Sequence, residues 1–301
     1  MSVISPKILL PRLGLRPKKA LGQHFLVHPH QARRIVAALE LTGAEAVVEI
    51  GAGLGALTVV LAQAARRVVA LERDPVLARF LQEELFADAP TVEVRCQDVL
   101  RFDFLGFSRE VGRPLAVVGN LPYQITTPLL FKLIEEKAAL GRALLMMQEE
   151  VGARLLARPG SKDYGILSVL LRYHFAVQRR FSLGPANFYP SPQVDSVVLR
   201  LEPGAASGAA RDPDLLARVV KAAFGQRRKT LNNTLTARAA DFGLSPEQVR
   251  PVLSEVGLDP GRRGETLDLA EFVGLSNKMA ELRGKDQGPG IWKKEEAFPN
   301  P

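Results

Sequence analysis

The sequence predicts an α/β fold, a Rossmann-like doubly wound sheet followed by a small all-helical C-terminal domain. Three observations carry this. Short apolar runs alternate with amphipathic stretches over the first two thirds of the chain, the pattern of a parallel sheet covered by helices. The run Ala46-Val47-Val48-Glu49-Ile50 passes directly into the glycine turn Gly51-Ala52-Gly53-Leu54-Gly55, and strand, glycine turn, helix opens such sheets. Beyond a stretch at 203–213 that is rich in Ala, Gly and Ser, only helical periodicity remains.

Taken in order, residues 1–17 form an arm interrupted by Pro6, Lys7, Pro11 and Arg12. An amphipathic stretch covers 29–39. The first strand, 46–50, leads through the glycines into a helix to about residue 64. A second strand, 67–71, ends at Glu72-Arg73-Asp74-Pro75, where Pro75 suits the first turn of a helix to about residue 86. Residues 91–96 alternate as a third strand and give way to Gln97-Asp98-Val99. The fourth, 114–118, ends in Asn120-Leu121-Pro122-Tyr123, with a helix over 128–136. A fifth strand spans 143–147, followed by helical 149–157 and 166–173. Segments 175–181 and 194–201 are expected to pair as an antiparallel hairpin around the proline-rich loop 185–192, completing the sheet at its edge.

The catalytic α/β domain is thus expected over 18–203, a linker over 204–212, and a helical domain over 213–283 with helices at 213–224, 227–240, 246–256 and 268–282. A loose tail around Trp292 takes up 284–301.

Composition narrows the class. The 301 residues are 47% hydrophobic and 24% charged, which fits a globular chain and excludes a disordered one. The formal charge of +8 and pI near 9.8 favour a polyanion as partner. Cys96 is the single cysteine, so neither an internal disulfide nor a cysteine-based zinc cluster can form, and a reducing cytoplasm fits. No apolar run reaches the roughly 18 residues of a membrane span, and the N-terminus lacks the continuous apolar region of a signal peptide, so a soluble protein is expected.

The motifs then specify chemistry. Glycines at 51, 53 and 55 let the backbone turn tightly and approach a ligand closely. The same turn also serves a ligand-free strand-to-helix connection. Its spacing is G-x-G-x-G, not the G-x-G-x-x-G of the dinucleotide fingerprint, and this favours S-adenosylmethionine over NAD. Glu72, 21 residues after Gly51 at the end of the second strand, is placed to accept hydrogen bonds from ribose hydroxyls. Asp98, at the next strand end, is suited to an adenine amino group, or to a simple turn cap.

Asn120-Leu121-Pro122-Tyr123 decides the acceptor. An adenine amine is a poor nucleophile because its lone pair is delocalised into the ring. If the Asn120 side-chain oxygen and the Leu121 carbonyl accept its two hydrogens, the lone pair turns toward a donor methyl. Pro122 restricts Leu121 to extended geometry and so aims that carbonyl, and Tyr123 can stack on a flipped base. No strong base is needed, because positioning carries most of the work. Phe188, in Asn187-Phe188-Tyr189-Pro190-Ser191-Pro192, offers a second aromatic face, or simply covers the core edge.

Together these pieces resemble the ribosomal RNA adenine dimethyltransferase family, in particular its small-subunit enzymes. The matching segments are Gly22-Gln23-His24-Phe25-Leu26, Glu49 to Thr58, Glu72, Asp98-Val99, Asn120 to Tyr123, Phe188-x-Pro190-x-Pro192, and Phe224-Gly225-Gln226-Arg227-Arg228-Lys229-Thr230-Leu231. The resemblance spans about 18–280. It implies an S-adenosylmethionine-dependent methyltransferase sheet in which His24, Leu26, Gly51, Gly53, Glu72, Asp98 and Asn120 line the cofactor site. Tyr123 and Phe188 would flank the target adenine. His24 stands where many relatives have Asn, a departure that bears on whether its side chain or its backbone makes the contact. The implied substrate is a pair of adjacent adenines in the 3′-terminal hairpin of small-subunit rRNA, each dimethylated at N6 during biogenesis of the immature small subunit by a monomeric enzyme. The alternatives are a large-subunit rRNA adenine methylase, a DNA adenine methylase, or a non-catalytic ribosome-assembly factor.

Among the basic clusters, Arg227-Arg228-Lys229 is the first RNA candidate, because it is expected to open a helix just past the linker. Lys18-Lys19, before the Gly22 motif, is the second. Such groups hold phosphates and set register. His24, His28 and His30 lie close in sequence, but without nearby cysteines or paired carboxylates no metal site is expected.

Overall fold

The computed structural model describes residues 5–204 and 209–283, with Tyr123 described in its backbone alone. The chain divides into two compact units, 1–153 with 174–204, and 154–173 with 205–301.

The first unit is built on nine strands: β1 Phe25–Leu26, β2 Ala46–Ile50, β3 Arg67–Glu72, β4 Val92–Cys96, β5 Leu115–Asn120, β6 Leu140–Gln148, β7 Phe175–Leu183, β8 Phe188–Tyr189 and β9 Ser196–Pro203. Seven of them form one sheet in the order β4-β3-β2-β5-β6-β9-β7. The first five in that order are parallel, and β9 pairs antiparallel with both β6 and β7. The expected hairpin of 175–181 and 194–201 is therefore present, with β9 placed inside the sheet and β7 at its edge. Every side chain of β2 is buried, as is most of β3 and β5, which accounts for their unbroken apolar runs. The chain runs outward from β2 through β3 to β4, then returns to β5 on the other side of β2. Ligands in doubly wound sheets bind where the order reverses in this way.

The helices of this unit are α1 Pro6–Arg12, α2 Pro29–Ala37, α3 Thr58–Ala64, α4 Pro75–Phe80, α5 Phe104–Val111 and α6 Thr126–Glu135; α7 Glu149–Leu156 begins in it and ends in the second unit, which takes all of α8 Ile166–His174 but its last residue. Pro75 occupies the first turn of α4 under an Asp74 cap, and α4 continues as a π-helical stretch, Leu81–Leu85. A helix at 104–111 was not apparent in the sequence.

The arm corrects one expectation. Residues 6–12 are helical, and Leu9 and Leu10 are buried in a cluster with Phe25, Leu54, Leu77 and Phe80. The apolar run Ile8-Leu9-Leu10 outweighs the flanking prolines, because Pro6 stands in the first turn, where no N–H is required.

In the second unit, α9 Pro213–Phe224, α10 Leu231–Thr236, α11 Pro246–Glu255 and α12 Leu269–Arg283 match three of the four expected helices closely. The fourth, expected over 227–240, is cut down to α10 and a 3-10 turn, Ala239–Phe242. Segment 154–173 joins this unit rather than the sheet. The Tyr164 hydroxyl donates to the Leu267 carbonyl at 3.0 Å, and its ring meets Phe224 edge-on, with centroids 5.8 Å apart. The expected tail at 284–301 and residues 205–208 of the linker lie outside the described residues. No helix among the described residues is long and apolar enough to cross a membrane.

Candidate active site

The register of β2 against β5 sets Ile50 beside Gly119, so the glycine turn and Asn120 leave the sheet side by side. Gly119 is required here: a Cβ would meet the Ile50 Cβ at 2.8 Å and the Ile50 carbonyl oxygen at 2.9 Å. Gly51, Gly53 and Gly55 all take positive φ, of 71°, 58° and 80°. The turn is anchored to β3, since the Gly51 and Ala52 N–H groups both donate to the Leu71 carbonyl.

A crevice enclosing about 800 Å³ of space, counted out to its open mouth, lies over these strand ends, where doubly wound sheets bind their ligands. Gly51, Gly53, Glu72, Asp98, Asn120 and His24 all line it. Leu26 does not: it is buried in the core and faces an adjoining pocket with Pro6, Glu49 and Leu57. Its alternation with Phe25 along β1 turns it inward.

Glu72 is 7% exposed, and each carboxylate oxygen already accepts a backbone N–H, Oε1 from Asp74 at 2.7 Å and Oε2 from Gly53 at 2.8 Å. Burial raises its pKa, and those two amides oppose the rise. A carboxylate offers about four lone-pair positions, so acceptor capacity remains for hydroxyls of a ligand. Asp98 is a turn cap, with Oδ1 accepting the Leu100 N–H at 3.0 Å; its Oδ2 lies 3.8 Å from the Arg73 guanidinium, and the residue lines the crevice.

Asn120 donates Nδ2 to the His24 carbonyl at 2.9 Å. Because a carbonyl only accepts, this bond sets the amide's orientation, with Oδ1 as the outward acceptor. The Leu121 N–H donates to the Met146 carbonyl at 2.9 Å, which pins the next peptide to β6. His24 makes its contact with Asn120 through the backbone, while its ring Nδ1 donates to the Pro190 carbonyl at 2.7 Å. Pro122 is extended, with φ −60° and ψ 138°, and Tyr123 opens a 3-10 turn to Ile125; the side chain of Tyr123 lies outside what is described.

Phe188 is 4% exposed and belongs to the core cluster around Leu26, yet it also lines a small pocket of about 270 Å³ with Asn120, Leu121, Met147, Pro192 and Ser196. β1 and β8 bring it there, pairing Leu26 with Phe188 and Phe25 with Tyr189. Sequence reasoning missed Met147 and Ser196, whose strand positions looked like ordinary core. It also passed over Glu49, which lies just before the glycine turn. Glu49 is 1% exposed, accepts from the Thr58 hydroxyl at 2.6 Å, and burial pushes its pKa up to about 8.

The basic residues divide. Arg227 donates Nη2 to the carbonyls of Lys162, at 2.8 Å, and Tyr164, at 3.2 Å, so it holds its own unit together. Arg228 and Lys229 are exposed. All three sit in the loop between α9 and α10 rather than opening a helix, because Thr230 caps α10 only after them. Lys18 pairs with Asp74 at 2.8 Å, and Lys19 is exposed at the start of a 3-10 turn. Among the described residues no group of three or more His, Cys, Asp or Glu converges as a metal site.

Comparison with known proteins agrees with this geometry. "Ribosomal RNA small subunit methyltransferase A" of Geobacter metallireducens is 44% identical over 274 residues, covering 90% of this chain and 98% of that protein. Its namesake from Geobacillus thermodenitrificans is 41% identical over 280 residues, covering 92% and 95%. Among solved structures, a dimethyladenosine transferase from Plasmodium falciparum superposes with a TM-score of 0.73 at 26% identity, over 85% of this chain and 98% of that one. The 23S rRNA methyltransferase ErmE gives 0.63 at 27%, over 85% and 99%. The family profile "Ribosomal RNA adenine dimethylase" matches residues 14–273. With the strand-end crevice, the glycine turn and the oriented Asn120 amide in place, the chain belongs to the ribosomal RNA adenine dimethylase family and is a methyltransferase.

Proposed function

We propose that the protein transfers methyl groups from S-adenosylmethionine to the N6 amines of two adjacent adenines in the 3′-terminal hairpin of small-subunit rRNA, acting as a monomer on the immature subunit in the cytoplasm. The observation that carries this reading is the Asn120 amide, fixed by the His24 carbonyl so that Oδ1 faces outward beside the strand-end crevice. Glu72 suits ribose hydroxyls, Asp98 an adenine amine, and the glycine turn the close approach of a charged tail, so the residues present fit the donor. When bound, S-adenosylmethionine supplies a methyl on a sulfonium that needs no further activation.

The chain's own part is positioning. Asn120 Oδ1 and the Leu121 carbonyl accept the hydrogens of the amine and turn its lone pair toward the crevice. Phe188 forms one wall of the base pocket, and Tyr123 is assigned the other. Transfer leaves the nitrogen cationic with both hydrogens, and it then loses one proton to solvent; a single hydrogen remains, so one of the two acceptors releases its bond and the pocket takes up a methyl there. Arg228, Lys229 and Lys19 are assigned to phosphates.

The likeness to ErmE gives a second reading, methylation of large-subunit rRNA. The small-subunit relatives, at 41–44% identity against 27%, favour the first. Tritiated-methyl transfer to small-subunit particles and to large-subunit RNA, run side by side, tests it. Labelling of small-subunit adenines that Asn120→Ala abolishes is the expected result, and labelling confined to large-subunit RNA overturns it.

A further inference from the structure

Segment 18–24 supplies Leu21, Gly22, Gln23 and His24 to the crevice lining, yet no sheet pairing holds it. It is held instead at its two ends. At one, the His24 carbonyl accepts from Asn120 and the His24 ring Nδ1 donates to the Pro190 carbonyl. At the other, two side chains meet on one oxygen of a third. Asp74 Oδ2 receives the Lys18 ammonium at 2.8 Å and the Gln23 Nε2 at 3.2 Å, while Gln23 Oε1 accepts the Lys18 N–H at 2.8 Å.

Asp74 is 3% exposed, and its own N–H donates to Glu72 Oε1, whose other oxygen takes the Gly53 N–H. One unbroken chain of hydrogen bonds therefore runs from Lys18 through Gln23, Asp74 and Glu72 to the glycine turn. As the cap of α4, Asp74 needs only Oδ1, which accepts from Val76. Its second oxygen is committed to the segment.

We propose that Asp74, with Lys18 and Gln23, is a latch that positions segment 18–24 as a wall of the donor crevice, and that Lys18 acts there rather than on RNA phosphate. The inference rests on the donor reading given above. Asp74 is a positioning residue: it meets the donor only through Glu72 and the segment. Because the latch lies at the Lys18 end, while the His24 end keeps its own bonds to Asn120 and Pro190, loosening the latch weakens donor binding and leaves the methyl-transfer step intact once the donor is bound. Lys18 is about half exposed, so its pair with Asp74 is partly screened by solvent, and the loss expected from breaking it is about 5- to 10-fold.

The test uses the full-length protein with Lys18→Met, Asp74→Asn and the double variant. Asn still caps α4, so the helix start is kept. Donor affinity is measured by calorimetry, and kcat with both KM values by methyl incorporation into small-subunit particles. Each single variant is expected to raise the Kd and KM for the donor by about 5- to 10-fold, with kcat and the KM for RNA within twofold. The double variant should be no worse than either single, because both remove the same contact. Restoration by Lys18→Arg supports the latch further. A rise in the KM for RNA alone, or unchanged donor affinity in both single variants, overturns it. Absence of donor binding by the unaltered protein would instead overturn the donor reading itself, so the two failures are told apart.

Discussion

The Asn120 Nδ2 donates to the His24 carbonyl at 2.9 Å, joining residues 96 positions apart and deciding which end of the amide faces outward. Asn120→Asp keeps the shape but sets a carboxylate oxygen against that carbonyl. Losing the bond and adding the repulsion should cost about 2–3 kcal/mol, or roughly 30- to 150-fold in single-turnover methyl transfer. Transfer within threefold of the parent would contradict the orientation argued here.

Glu49 predicts a pH dependence of stability. Its folded pKa is about 8 against an ordinary 4.5, so between those values the folded state binds more protons than the unfolded one. Stability contributed by the neutral carboxyl is complete below about 4.5 and is lost as pH rises through about 8. Glu49→Gln removes the titration. In urea unfolding the variant should match the parent near pH 4.5 and exceed it increasingly toward pH 8, by at most about 4–5 kcal/mol. Parallel profiles would show that Glu49 is already ionised at neutral pH.

Gly119 holds β2 and β5 close at their carboxyl ends. Gly119→Ala drives a Cβ against Ile50 backbone, which cannot move aside as a side chain would. A loss of about 1–3 kcal/mol in unfolding free energy is expected, with weaker donor binding as Gly51 and Asn120 separate. Unchanged stability would mean that the strands part without cost.

Arg227 and Arg228 should behave differently despite adjacency. Arg228→Ala is expected to weaken RNA binding at all sequences and to reduce the slope of log affinity on log salt by about 1. Arg227→Ala should chiefly lower the melting temperature, since it frees the Lys162 and Tyr164 carbonyls. The reverse pattern would reassign both residues.

The sheet and the donor side of the site were legible because strand ends, glycine spacing and Glu72 are local signals in the chain. What was hidden depended on contacts between distant segments. Lys18 read as an RNA-phosphate candidate although Asp74 stands opposite it, and Leu9 with Leu10 read as part of a broken arm although the core cluster receives them. Arg227 was placed one element too late, because no spacing rule reports that a guanidinium is occupied by carbonyls 63 and 65 residues away. Phe188, expected either to face the target base or to cover the core edge, is buried in the core and also lines the small pocket beside Asn120.

The two-residue ladder between β1 and β8 has a consequence for how this site tolerates change. Phe25 lines the strand-end crevice and Phe188 the small pocket beside Asn120, and their two strands are joined by main-chain pairing that ignores side-chain identity. The spacing between the two cavities is thereby written into peptide geometry. Substitution of neighbouring side chains can reshape either cavity while the gauge between them stays fixed.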